Sequence, residues 1–285
     1  MESTDWSARR KPAEKTSPAA EGARQSRGGF GVLRLARRAC LAIDVAIATA
    51  IFMTPAVAAE PATLGDDWAE ILRTRVDERG RVNFAALQRE PDRLARVVAS
   101  IAAQAPNNRP DVFDTEAKKL AFHINAYNAL AMAHVLRRGL PTALSLTGRA
   151  TFFTLTTVEI GGQSMSLYNY ENKIIRPIGE ERVHFVLNCM SVSCPRLPRE
   201  PFTPAALPRQ LDAATRLFLS EPRNIEVNQA AGVVKLSQIF EFYTPDFLKK
   251  APSLIAYVNR YRGAPISDKF AVKFFDYDWT INKQP

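Results

Sequence analysis

Cysteine and histidine are scarce in this sequence: each occurs only three times among 285 residues. The chain contains no Cys-x-x-Cys and no His-Glu-x-x-His, which are spacings typical of zinc sites. Its composition of 46% hydrophobic and 24% charged residues is globular, and a chain of this length buries a sizeable core without disulfides. We therefore predict neither a disulfide-dense scaffold nor a resident metal or cofactor.

A long hydrophobic run is also missing, since no apolar stretch is long enough for a comfortable membrane span. The longest apolar stretch follows three basic residues, Arg34, Arg37 and Arg38. It is interrupted by Asp44 and ends near Ala56-Val57-Ala58. This order of basic, apolar and small residues is typical of a secretory signal peptide. We predict that residues 1–58 are a signal peptide with a disordered N-terminus and that the mature protein is periplasmic or secreted. An uncleaved membrane anchor is the alternative.

The basic excess does not indicate a nucleic-acid partner. The formal net charge is +9, and about half of that excess lies in the predicted signal peptide. The remaining basic residues are scattered among acidic ones, whereas a nucleic-acid surface needs a clustered basic stripe. We expect the partner to be a small molecule or a cell-envelope protein. No stable membrane span is expected after cleavage.

The rest of the chain has no internal repeat and no linker. We therefore predict that residues 59–285 form a single α+β domain. A buried central helix is expected to pack on a small mixed or antiparallel sheet with hairpins. The predicted elements are helical segments within 66–103, a helix at 116–138, a hairpin around Gly161-Gly162, a strand at 183–188, a helix starting at Thr203-Pro204, a hairpin within 224–237, broken helices within 239–263 and a closing strand within 271–282.

The helix predicted at 116–138 is apolar nearly all round and should be buried. Thr115 is its expected N-cap, and Gly139 and Pro141 should end it. Buried polar side chains on such a helix must find partners, since an unpaired amide costs about 1–3 kcal/mol. Asn125 and Asn128 lie toward one side of it, and His123, Tyr127 and His134 share another.

Five segments form a recognisable pattern in order between about residues 66 and 282: AFHINAYNAL, MSLYNYENKIIRP, VHFVLNCMSVSCPRL, IFEFYTPDF and FDYDWTIN. Together they resemble one known family, the domain-of-unknown-function 547 family in its bacterial exported form. One departure is His123, which stands where an aromatic residue such as tryptophan is expected. The resemblance implies a fold and a cleft, and it supplies no reaction.

The segment HFVLNCMSVSCPRL at 184–197 concentrates the rare residues. It contains His184, Cys189 and Cys194, and signal cleavage would leave these two cysteines as the only ones. One reading is a disulfide between them, since a turn could bring them within bridging range. A second is a cysteine nucleophile with His184 as base, oriented by Asn125 or Asn128. A metal site and simple core packing are the other readings.

Two functions remain open on these residues. The leading one is an exported cell-envelope module that binds a small ligand or a protein. The alternative is a Cys/His-dependent hydrolase or acyl transferase using the 184–194 loop. A Glu171–Arg176 pair is expected to be structural or at the surface. The candidate catalytic residues are Cys189, Cys194, His184 and Asn125, and the candidate binding residues are Asn125, Asn128, Tyr127, His184, Glu171 and Arg176.

Overall fold

The computed structural model describes residues 61–285, so the predicted signal peptide and Cys40 lie outside the described residues. The α-helices are α1 (Gly65–Arg75), α2 (Phe84–Arg89), α3 (Asp92–Ala103), α4 (Glu116–Arg137), α5 (Leu146–Ala150), α6 (Leu167–Asn169), α7 (Leu207–Ser220), α8 (Ile239–Phe242), α9 (Thr244–Leu248) and α10 (Leu254–Asn259). The strands are β1 (Thr157–Ile160), β2 (Gln163–Ser166), β3 (Ile225–Asn228), β4 (Val233–Leu236) and β5 (Ala271–Phe274). Two π-helical turns, Thr151–Leu155 and Tyr170–Ile175, continue α5 and α6.

Helix α4 is the central buried element that the sequence predicts. The Thr115 side chain accepts a hydrogen bond from the Lys118 N–H and caps its N-terminus. The helix ends at Arg137, and Gly139 follows with φ of 70°, a conformation that glycine adopts without steric cost. Its surroundings are mostly helical, because it packs against α2, α3 and the turn at Pro61–Thr63.

The second of the helical segments predicted within 66–103, which begins at Asn83, is two helices rather than one. Proline has no N–H for the helix ladder and disfavours helical backbone at the residue before it. Helix α2 accordingly ends at Arg89, and α3 begins at Asp92, directly after Pro91. The helix predicted to start at Thr203-Pro204 begins later, at Leu207, as α7. The Thr203 side chain instead accepts a hydrogen bond from the Ala206 N–H and closes a turn before the helix.

The two sheets are small. Strands β1 and β2 form the predicted antiparallel hairpin around Gly161-Gly162. Strands β3 and β4 form the second hairpin, and β5 pairs with β4 in parallel to give a mixed three-stranded sheet. The closing strand is shorter than predicted, because residues after Phe274 make only isolated bridges, such as Ser191 with Ile281. The described chain is a single α+β domain.

The strand predicted at 183–188 is wrong. Residues Glu181–Phe185 form a 3₁₀ helix, and the chain then continues without regular structure. The local reason is that the Val186 and Leu187 N–H groups both donate to the Val183 carbonyl, which coils the backbone. Because there is no strand here, the side chains of this segment do not alternate between two faces as they would in a strand.

No helix within residues 61–285 combines the length and the apolar character that crossing a membrane requires.

Candidate functional site

The thiol loop, defined as residues 186–197, is held by asparagine side chains. The Asn128 side chain donates from Nδ2 to the Val186 carbonyl at 3.0 Å, and its Oδ1 accepts the Asn188 N–H at 2.8 Å. Asn188 in turn donates from Nδ2 to the Pro195 carbonyl at 2.6 Å. These bonds satisfy backbone groups that would otherwise pair with a neighbouring strand. Asn128 therefore fixes an irregular loop against α4.

Asn125 has a different set of partners. Its Nδ2 donates to the Ala62 carbonyl at 2.9 Å and to the Phe202 carbonyl at 2.8 Å. Its Oδ1 accepts the Phe202 N–H at 3.0 Å and the Trp68 Nε1–H at 3.3 Å. With every hydrogen-bonding position occupied, Asn125 joins three distant segments of the chain. These bonds leave Asn125 no free donor or acceptor, and it does not line the pocket that contains the cysteines.

The two cysteines of the loop are buried free thiols that lie together. The Cys189 N–H donates to Cys194 Sγ at 3.1 Å. The Tyr277 hydroxyl lies 3.1 Å from Cys194 Sγ and 3.6 Å from Cys189 Sγ. The disulfide is thus not formed in this structure, and it stays a prediction for the oxidised protein.

The environment makes the two thiols unequal. The hydrogen bond from Cys194, helped by Ser191 and Tyr277, lowers the pKa of Cys189 to about 7. Burial raises the pKa of Cys194 well above its ordinary value. Met190, the residue after Cys189, has φ of 66°, a left-handed conformation that is uncommon outside glycine. Its N–H donates to Asn188 Oδ1 at 2.6 Å, which closes the turn that presents Cys189.

His184 lies beside the loop with a different partner. Its Nε2 is 3.0 Å from Asp246 Oδ2, and its ring stacks on Tyr243 at 3.8 Å between centroids. Asp246 also accepts bonds from Arg176 at 2.7 Å and from Lys249 at 3.1 Å. The hydrogen bond from His184, with these two cations, holds the pKa of the Asp246 carboxyl well below its usual range.

Glu171 and Arg176 do not form the expected pair. Arg176 is engaged with Asp246, whereas Glu171 accepts the Tyr127 hydroxyl at 3.0 Å. Burial raises the pKa of Tyr127 well above its ordinary value, so the phenol keeps its proton and donates to the carboxylate. Tyr127 and Glu171 thus form one buried hydrogen-bonded unit.

The other two histidines, His123 and His134, lie on α4 and belong to the core. The His123 Nδ1 atom lies 2.8 Å from the Tyr170 hydroxyl. His134 packs against Phe152 with ring centroids 5.2 Å apart. Burial lowers the pKa of both His123 and His134 to about 4, so both rings are neutral at pH 7.

Two adjoining cavities connect these groups. The thiol pocket has a volume of about 60 Å³, and the outer cavity has about 540 Å³. The residues that line both are Phe153, Glu171, Phe242, Tyr243 and Trp279. The thiol pocket is also lined by Tyr127, His184, Leu187, Cys189, Cys194, Pro195, Ile239 and Tyr277. The outer cavity is also lined by Leu146, Arg149, Ala150, Thr154, Tyr168, Asn172 and Arg176.

The structure therefore unites most of the predicted residues at one place and adds others. Sequence reasoning missed the aromatic wall of Phe153, Phe242 and Trp279, and it missed Arg149. The segment FDYDWTIN was a signal through its match to the family, but we predicted only a closing strand there, whereas Tyr277 and Trp279 line cavities. No comparable signal marks Arg149.

A metal site has no support from geometry. Within residues 61–285, no group of three or more histidine, cysteine, aspartate and glutamate side chains is placed to hold a metal ion.

Fold and site together define an α+β domain with a thiol pair beside a cavity of ligand size. Residues 112–219 match the model of a family described as "Protein of unknown function, DUF547". The matched range contains α4, the first hairpin and the thiol loop, and it supports the resemblance read from the sequence. No curated protein matches the chain, and no solved structure matches it.

Proposed function

We propose that this domain binds a small amphipathic anion in the outer cavity. The observation that carries the proposal is Arg149, whose guanidinium lies 4.6 Å from the ring centroid of Trp279. Its Nε is buried without a hydrogen-bond partner, and no acidic side chain among residues 61–285 forms an ion pair with it. A partly buried guanidinium that lacks an acidic partner favours a carboxylate or phosphate from a ligand.

Arg176, the other cation of the outer cavity, differs in this respect. Its charge is matched by Asp246 at 2.7 Å, and it also donates to Asn172. Arg149 is therefore the better candidate for holding an anionic head group.

The walls of the outer cavity suit an apolar ligand body. Leu146, Tyr168 and Phe242 keep 75%, 53% and 44% of their surface exposed, and all three line this cavity. Large apolar side chains that remain exposed together mark binding surfaces more often than isolated ones do. The volume of about 540 Å³ also lies within the range of small-molecule sites, about 300–1,000 Å³.

We expect octanoate to bind the protein and to change the fluorescence of Trp279 in a saturable way. Arg149→Gln should weaken this binding by at least about tenfold, since a charge-assisted hydrogen bond contributes about 1.5–3 kcal/mol. Fluorescence titration measures the affinity, and Trp279→Phe identifies the reporting ring. Uncharged octanol should bind the unmodified protein and Arg149→Gln with equal affinity.

Arg79→Gln is the matched control, because Arg79 is exposed and lies outside both cavities. It should bind octanoate as the unmodified protein does. Absence of a saturable change, or equal affinity for octanoate in Arg149→Gln, would contradict the proposal.

The location that we propose is the bacterial cell envelope. The support is the basic, apolar and small order of residues 34–58, which is typical of a signal peptide. N-terminal sequencing of the protein from an envelope fraction should begin near Ala59 or Glu60. Finding the intact residue 1 in a soluble cytoplasmic fraction would refute export.

A Cys/His-dependent hydrolase or acyl transferase on the 184–194 loop is less well supported by the geometry. Such an enzyme needs an imidazole within reach of the thiol that it activates. His184 Nε2 is hydrogen-bonded to Asp246, whereas the sulfur neighbours are Ser191 and Tyr277. Ligand binding is therefore the function that we favour.

A further inference from the structure

We propose that Cys189 and Cys194 form a redox-active dithiol that reduces a small organic disulfide entering from the outer cavity. The proposal goes beyond ligand binding, because it assigns chemistry to the thiol pocket. Only its preference for a carboxylate-bearing disulfide rests on the function proposed above.

The first support is the contact between the two thiols. The Cys189 N–H reaches Cys194 Sγ at 3.1 Å, and one hydroxyl, that of Tyr277, lies near both sulfurs. Closing the disulfide requires the sulfurs to approach to about 2 Å. Only four residues separate the cysteines, so the bond that we propose closes within one short loop.

The second support is the difference in exposure between the two cysteine residues. Cys189 keeps 8% of its surface exposed, whereas Cys194 keeps 2%. Cys189 is also the thiol with the lowered pKa, so it has the larger thiolate fraction near pH 7. Cys189 is thus the less completely buried and the more readily ionised member of the pair, and a thiolate is the attacking species in thiol–disulfide exchange.

The reaction proceeds in two displacements. The Cys189 thiolate attacks one sulfur of R–S–S–R′, which forms a mixed disulfide and releases R′S⁻. Cys194 then gives its proton to that leaving thiolate and attacks Cys189 Sγ, which releases the second thiolate, RS⁻. RS⁻ takes up the proton that Cys189 lost on ionisation. The products are an intramolecular disulfide, RSH and R′SH, so the protein is oxidised by two electrons and the substrate is reduced by two.

The dimensions of the site select the substrate class. The pocket that contains both thiols has a volume of only about 60 Å³, which is too small for the surface of a folded protein. The adjoining outer cavity holds the body of a small molecule, with Arg149 placed to bind a carboxylate. The substrate class is thus a small disulfide that carries a carboxylate.

Reaction with oxidised glutathione tests the proposal in full-length chain carrying Cys40→Ser, so that only these two thiols remain. Intact and peptide mass spectrometry should show the reduced protein losing both thiols together and forming a Cys189–Cys194 disulfide. With Cys194→Ser, one glutathione should remain on Cys189. With Cys189→Ser, the reaction should slow at least about tenfold, since the remaining thiol is buried and less acidic.

The proposal is overturned if the unmodified pair keeps both thiols or accumulates glutathione adducts without closing the disulfide. It is also overturned if Cys194 reacts in Cys189→Ser as fast as Cys189 does in Cys194→Ser. The measurement on the pair leaves Cys189 and Cys194 unsubstituted, so it decides the question even if a variant of either cysteine fails to fold.

Bis(2-hydroxyethyl) disulfide, which has no carboxylate, separates this proposal from the ligand site. Arg149→Gln should slow the reaction with oxidised glutathione by a larger factor than the reaction with the uncharged disulfide. If oxidised glutathione reacts equally fast with Arg149→Gln and with the protein that keeps Arg149, the dithiol is supported and the anion site is contradicted. If octanoate binds while both disulfides fail to react, the anion site is supported and the dithiol is overturned.

Discussion

Replacing Asn125 with leucine is expected to lower the free energy of unfolding by about 3 kcal/mol or more, since each buried polar group left unpaired costs about 1–3 kcal/mol. The substitution leaves four groups without their hydrogen-bond partner: the Ala62 carbonyl, the Phe202 carbonyl and N–H, and the Trp68 indole N–H. These groups are in the core, where water cannot replace the amide. Urea unfolding followed by circular dichroism measures the change.

Gln229→Leu is the matched control for this prediction. The Gln229 side chain is an exposed amide on the turn between β3 and β4, so its substitution should alter stability by less than about 0.5 kcal/mol. If the two variants unfold at the same urea concentration, the four hydrogen bonds assigned to Asn125 are not formed in solution.

Replacing Asp246 with asparagine is expected to cost about 3 kcal/mol at pH 7, the lower end of the range for breaking a buried ion pair. The carboxylate is the common acceptor of His184, Arg176 and Lys249, and its side chain is only 12% exposed. An asparagine keeps the shape but offers a single neutral acceptor to three donors. Thermal or chemical unfolding at pH 7 tests the expectation.

The same substitution should have a specific pH dependence. The pKa of Asp246 is lower in the folded protein than in the unfolded chain, where it is about 3.9. Its stabilisation is therefore fully present above that value and is lost as the pH falls below it. The stability difference between the unmodified protein and Asp246→Asn should shrink between pH 5 and pH 3.

Asp212→Asn is the control for both measurements. Asp212 pairs with Arg216 one helical turn away, and both side chains are about half exposed. Exposed pairs of this kind contribute about 0–1 kcal/mol. A loss in Asp246→Asn as small as that in Asp212→Asn, or a difference that grows toward pH 3, would show that Asp246 does not hold these partners.

Local patterns in the sequence account for much of the framework. The cap at Thr115, the apolar run after it and the glycine at 139 specify α4, because each acts within a few residues of the helix. The two hairpins follow in the same way from turn residues between short strands. The wholly buried helix also indicated that its asparagines need partners, and Asn128 finds them at Val186 and Asn188.

The shape of the thiol loop could not be read in this way. The apolar residues after His184 fit a strand, and the competing interaction comes from Asn128 on another element, 58 residues before Val186. A side chain that binds backbone groups at such a distance leaves no periodic signal. The strand prediction failed for this reason.

The sequence by itself determined the α+β class, the central helix, the hairpins and the segment that holds the thiols. Only the tertiary structure decided which groups meet there. Tyr277 joins the thiols from 88 residues beyond Cys189, Asp246 pairs with His184 across 62 residues, and Trp279 stacks under Arg149. Local preferences act over a few residues, whereas a site is assembled by the packing of a shared core, which brings distant segments into contact.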